Sequence, residues 1–180
     1  VNVGFGTVSH AEGKVYRNGK PVELRPARCD ATTPAALRRE IAALKKEGFN
    51  TLWPDTPQPW WFYDICDRTG MYVIDQANIN TSYETGNRRI GGCLSNDPAW
   101  LPEYMERTQA MFRRSHTHPC IVAWSLGGQS GNGFNLYRTY LWLRTADPNR
   151  PILYDAAGGE WNNDRPLTPC PAQHPPGPPH

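Results

Sequence analysis

The chain predicts an α/β protein built on a parallel sheet of about five strands and four helices, preceded by a short β-segment. Three observations carry this reading. Short apolar runs alternate with amphipathic stretches from residue 22 to residue 155. Most connections between them are brief. Proline or glycine also marks nearly every boundary.

Residues 1–25 read as β-structure. Val3 to Val8 and Lys14 to Tyr16 are short extended runs, and Asn18-Gly19 is a hairpin-turn signal before Val22-Glu23-Leu24. The period then changes. Thr33-Pro34 reads as an N-cap with proline in the first turn, opening a helix that carries Leu37, Ile41 and Leu44 on one stripe and stops at Gly48. Asn50 to Trp53 is a short strand, broken by Pro54, Pro57 and Pro59. An aromatic-rich helix, about Trp60 to Arg68, ends at Gly70. Met71 to Asp75 is apolar almost throughout, as a strand covered on both faces should be.

A long loop from Ile79 to Asn96 leads to the cap pair Asp97-Pro98 and a helix bearing Leu101, Tyr104, Met105, Thr108, Met111 and Phe112. Cys120 to Trp124 is the next strand, followed by a helix from about Asn132 to Thr145 and a strand from Ile152 to Asp155. Asn132 and Asn135 are read as capping residues. Beyond Asp155 the pattern dissolves into a proline-dominated tail.

Composition excludes several classes. Lys and Arg number 19 against 17 Asp and Glu, a net charge of +2, and the basic residues are dispersed, so no nucleic-acid partner is expected. No apolar run approaches a membrane span, and Val1 does not open a signal peptide. The missing initiator Met suggests a processed chain or a segment of something longer. Five cysteines at irregular spacing form no C-x-x-C pair, so neither a zinc site nor any other metal or cofactor is expected. Cys66 and Cys120 read as buried small hydrophobes. His116 and His118, ahead of a strand, read as structural.

Trp124-Ser125-Leu126-Gly127-Gly128-Gln129-Ser130-Gly131 closes the strand and turns toward a helix. It resembles the acid/base motif of glycoside hydrolase family 2, the β-galactosidase family, which reads Trp-Ser-Leu-Gly-Asn-Glu-Ser-Gly. Gly128 stands in place of the Asn and Gln129 in place of the catalytic Glu. The resemblance extends over most of residues 4–165, through Gly4-Phe5-Gly6, Arg17 to Pro21, Phe62 to Asp67, Gly70 to Asp75, Asn96 to Leu101 and His118-Pro119. It implies a partial (β/α)8 TIM barrel over residues 22–165, following the end of a β-sandwich-like segment and linker (1–21) and preceding a Pro-rich tail (166–180).

The resemblance also places the functional positions. Gln129 occupies the acid/base site, and a carboxamide cannot transfer a proton at neutral pH. Family strand three ends Asp-Glu-Ala-Asn-Ile-Glu-Thr-His, with magnesium ligands in many β-galactosidases; this chain reads Asp75-Gln76-Ala77-Asn78-Ile79-Asn80-Thr81-Ser82, and Asn80 and Ser82 are poor ligands for a hard cation. Strand two gives Trp53-Pro54-Asp55 and strand one Ala27-Arg28-Cys29-Asp30, both departing from the family pattern. The nucleophile Glu would lie beyond His180.

Gly128, Asp75, Asn78, Trp53, Trp124 and Trp161 are the expected sugar-binding residues, the tryptophans offering ring faces for stacking. Trp60, Trp61, Trp100 and Trp142 read as outer-layer packing. Glu160, Asp155 and Asp75 are the carboxylates within reach if another acid serves. The expectation is a family 2 barrel segment that recognises carbohydrate or scaffolds, without catalysis. The alternatives are part of an active retaining β-glycosidase, or a protein-interaction module. Expected partners are a carbohydrate and either the remainder of a longer chain or a protein that completes the barrel.

Overall fold

The fold is that of a computed structural model, which describes residues 6–164. The expectations for Val3 to Phe5, Cys170 and the tail 166–180 lie outside those residues.

The chain opens with an antiparallel meander of β1 (Val8–Ala11), β2 (Lys14–Arg17) and β3 (Lys20–Val22). Both turns use positive φ, at Glu12-Gly13 (49° and 73°) and Asn18-Gly19 (51° and 74°), the geometry a two-residue hairpin needs. The second sheet is wholly parallel and runs in chain order: β4 (Pro26–Ala27), β5 (Thr51–Leu52), β6 (Tyr72–Gln76), β7 (Ile121–Ser125) and β8 (Ile152–Leu153). Helices α1 (Pro34–Lys46), α2 (Trp60–Thr69), α3 (Leu101–Ser115) and α4 (Phe134–Ala146) alternate with these strands. Strand order without reversal is the progression of a barrel; a doubly wound sheet would switch direction part-way.

Local signals explain the helix ends. The Thr33 hydroxyl accepts the Ala36 N–H, and Gly70 closes α2 in the left-handed region at φ 66°. Asp97 caps a single 3-10 turn, Pro98–Trp100, which leads directly into α3. Capping by Asn132 and Asn135 is not observed. α4 starts at Phe134, whose N–H goes to the Asn96 side chain. Asn132 instead exchanges two hydrogen bonds with Asn162 (3.0 and 2.8 Å), and the Asn135 amide donates to the Leu94 and Asp97 carbonyls. Tertiary cross-links take both side chains because other groups already serve the helix terminus. The first barrel strand, Pro26–Ala27, lies at the edge of the parallel sheet, where a missing N–H costs nothing.

The core has two layers. Outside the sheet, Leu37, Ile41, Phe62, Ile65, Met111, Leu136 and Leu143 from the four helices pack on Leu52, Val73, Ile121 and Ile152. Each such fully buried side chain contributes about 1.5–3 kcal/mol. On the inner side, Trp53, Ile74, Val122, Ala123 and Leu153 meet Val8, Val15 and Leu24 of the meander and the segment after it. The meander covers the N-terminal ends of the strands. His10 Nδ1 lies 3.0 Å from the Asn149 carbonyl ahead of β8, and Arg17 lies beside Met71 and Cys120 ahead of β6 and β7. At the same end, His118 Nδ1 sits 2.7 Å from Asp67 Oδ2, while Asp67 Oδ1 accepts the Cys120 N–H. Both histidines therefore pack as structure: His116 stacks on Phe112 at 4.7 Å.

Candidate functional site at the C-terminal strand ends

With the N-terminal end covered by the meander, the open end of the sheet is the C-terminal one. A cleft of about 220 Å³ lies there, with contributions following all five barrel strands: Arg28, then Trp53 and Asp55, then Gln76 and Asn80, then Gly127 to Gln129, then Asp155 and Ala156. Side-chain hydrogen bonds tie these contributions together. The Trp53 indole N–H donates to Gln76 Oε1 (3.1 Å), the Ser125 hydroxyl donates to the same oxygen (3.2 Å), and Gln76 Nε2 donates to the Asp55 carbonyl (3.0 Å). Arg28 donates to the Trp53 carbonyl, pairs with the Asp55 carboxylate, and sits 5.5 Å from the Trp53 ring centre. The floor is thus a closed polar network, and Gln129, Asn80, Asp55 and Asp155 stand exposed around it.

The loop carrying Gly128 and Gln129 is strapped to the loop after β6. Gly128 N–H donates to the Ile79 carbonyl (2.8 Å), and Thr81 N–H donates to the Ser130 hydroxyl (2.9 Å). Tyr154 donates to the Gly131 carbonyl. Gly131 has φ +67°, and a Cβ there would lie 2.5 Å from the Thr85 carbonyl oxygen, so the turn needs glycine on both counts.

Of the residues expected from the sequence, Gln129, Gly128 and Trp53 come together in the cleft. Trp53 forms its floor and is no stacking platform, being 4 % exposed with Arg28 over its ring. Three expectations, those for Trp124, Asp75 and Asn78, are corrected. Trp124 is fully buried on the helix side, donating its indole N–H to Asp147 (2.9 Å) and packing on Phe112. A bulge in β7 is the cause: Val73 pairs with Ile121 but Ile74 with Ala123, so the extra residue inverts the alternation and turns Trp124 outward.

Asp75 also faces the helices. Its carboxylate accepts from Tyr63 (2.9 Å), Arg114 (3.1 Å) and Ser115 (2.5 Å). Burial pushes that carboxyl up, against the opposing pull of Arg114, Ser115 and Tyr63. Asn78 is exposed outside the cleft lining, and its carbonyl accepts from Arg107. Trp161 stands on the surface, stacked on Tyr137. Arg28, Asp55, Gln76 and Asn80 line the cleft in their stead, none of them anticipated as a binding residue. Parity offered one signal: a strand that sends Asp75 outward sends Gln76 inward.

Among the alternative acids, Asp155 lines the cleft and Glu160 does not. Hydrogen bonds from Arg88, then Tyr137, hold the Glu160 carboxyl below its ordinary value, so it stays ionised at neutral pH. Asn80 and Ser82 are exposed and offer only neutral oxygens, a donor set that does not fit a hard divalent cation. Among the described residues, no group of three or more His, Cys, Asp or Glu side chains comes together.

A parallel sheet in sequential order, helices outside and a polar cleft at the C-terminal strand ends, defines a (β/α)-barrel protein. The family model described as "Glycosyl hydrolases family 2, TIM barrel domain" matches residues 23–167. The chain belongs to glycoside hydrolase family 2. It is 39 % identical over 170 residues to a β-galactosidase of Pectobacterium atrosepticum, covering 87 % of this chain and 16 % of that protein. A β-galactosidase of Klebsiella pneumoniae is 36 % identical over 171 residues, covering 88 % and 16 %. This chain therefore spans about a sixth of the length of such relatives. Among solved structures, a β-glucuronidase from Ruminococcus gnavus superposes with a TM-score of 0.69 at 20 % identity, covering 84 % of this chain and 28 % of that one. A β-galacturonidase from Eisenbergiella tayi gives 0.67 at 18 %, with the same coverage. These two share the fold.

Proposed function

We propose that this barrel segment binds a carbohydrate in its strand-end cleft without cleaving it. The observation that carries the reading is Gln129. It lies in the cleft, at the place in the motif where the family resemblance expects the acid/base Glu, and its carboxamide donates and accepts hydrogen bonds but transfers no proton. A retaining glycosidase works with two carboxyl groups about 5–5.5 Å apart, one nucleophile and one acid then base. Among the described residues, the carboxylates lining this cleft are Asp55, already tied to Arg28, and Asp155. Gln129, Asn80 and Asp155 offer exposed donors and acceptors suited to sugar hydroxyls.

Two measurements test this. Titration with methyl β-D-galactopyranoside is expected to give saturable binding with Kd on the order of millimolar, weakened by Gln129→Ala. Nitrophenyl β-galactoside should remain uncleaved by the full-length parent chain. Hydrolysis that survives Gln129→Ala would overturn the reading in favour of an active β-glycosidase using another acid. Absence of both binding and hydrolysis would leave a scaffold.

A further inference from the structure

Outside the cleft, five side chains build an exposed aromatic platform. Trp161 lies in the loop after β8 and keeps 55 % of its surface exposed. Tyr137 of α4 stacks on one side of it at 5.2 Å and 26°, and Tyr140, one helical turn on, meets it edge-on at 5.5 Å and 83°. Two tyrosines on a regular helix therefore hold the indole in place while the rest of it faces solvent. Beside it, Arg88 and Glu160 form a bidentate pair (2.9 and 3.3 Å), and Arg88 also donates to the Tyr137 hydroxyl (3.1 Å).

We infer that this platform is a second carbohydrate subsite, which stacks the C–H face of a neutral pyranose on Trp161 and hydrogen-bonds its hydroxyls to Arg88 and Glu160. Three features select that ligand class. The charged pair neutralises itself, so the site has no net attraction for an anion or a cation. Among the described residues, Glu160 and Tyr137 engage three of the five N–H donors of Arg88, which leaves two for a ligand. Trp161 presents a single exposed indole, matched in size to one sugar ring, whereas a stable protein interface needs roughly 800 Å² per partner. The ring is also held before binding, so little side-chain entropy is lost. Trp161 and the cleft residue Asp155 both lie in the segment after β8. The inference shares its ligand class with the cleft reading.

An NMR titration with methyl β-D-galactopyranoside separates the two sites. The Trp161 indole N–H and Arg88 Nε–H signals should shift together and saturate, with Gln129 side-chain amide signals reporting the cleft. Trp161→Ala should weaken the response at Arg88 by about tenfold, with Trp161→Phe intermediate and the Gln129 response unchanged. Shifts at Gln129 alone, up to roughly 100 mM sugar, would overturn the platform and leave the cleft reading standing. Shifts at Trp161 and Arg88 alone would do the reverse. An Arg88 response that persists undiminished in Trp161→Ala, or galacturonate binding there more tightly than the neutral sugar, would also overturn the inference.

Discussion

The indole N–H of Trp53 donates to Oε1 of Gln76 across 3.1 Å, joining the ends of β5 and β6 beneath the cleft. The same Gln76 oxygen accepts from Ser125, and its amide nitrogen holds the Asp55 backbone. One carboxamide therefore ties three neighbouring strand ends together.

Gln76→Leu removes the acceptor for a buried indole N–H and releases the Asp55 carbonyl. An unsatisfied buried donor costs about 1–3 kcal/mol, so urea unfolding should show a loss of that size with little change in slope. Sugar binding in the cleft should weaken at the same time, because Asp55 and its partner Arg28 lose their support.

Gly127→Ala is expected to displace the Gln129 loop. A Cβ at Gly127 would lie 2.7 Å from the Ile79 carbonyl oxygen, which also accepts the Gly128 N–H. Backbone must move, at a cost of about 1–3 kcal/mol. Gly159→Ala, where nothing lies within 4 Å, should stay within about 0.5 kcal/mol of the parent. Thermal melts of the two variants, with a sugar titration of each, check the contrast.

Acid should weaken the fold through Asp67 and Asp147. Burial works to raise both carboxyls, but hydrogen bonds from His118 and Cys120 to Asp67, and from Arg150 and Trp124 to Asp147, outweigh it and hold them below the ordinary range. An unfolded Asp titrates near about pH 3.9, so their contribution is complete above that value and drains away as pH falls through the lower folded values. Asp75 runs the other way, since burial raises its carboxyl and protonation relieves a cost. Melting temperatures measured from pH 6 down to pH 3 should fall less steeply for Asp147→Asn and Asp67→Asn than for the parent.

Features that depend on neighbouring residues alone were legible in the sequence. Thr33-Pro34 starts α1, Gly70 ends α2, Asn18-Gly19 turns β2 into β3, and Met71, Val73 and Ile74 are buried as their apolar character implies. The motif from Trp124 to Gly131 put Gln129 and Gly128 at a strand end, and the cleft contains both. The orientation of Trp124 was not legible. It depends on one extra residue in β7, and a bulge arises from pairing with β6, a partner remote in sequence. Asp75 went the same way, because facing helices claimed its carboxylate, and the resting place of Trp161 on two tyrosines of α4, outside the cleft, was not legible either.

Sequence by itself determined the alternation of strands and helices, the ends of the helices and the family, because these rest on local patterning and on motifs in order. Only the tertiary structure decided which tryptophan floors the cleft, which is buried among helices and which stands exposed. It also decided that Arg28, Asp55 and Gln76 form one network under Gln129. Those outcomes follow from strand register and from hydrogen bonds between residues more than twenty positions apart, and neither exists until the strands lie side by side.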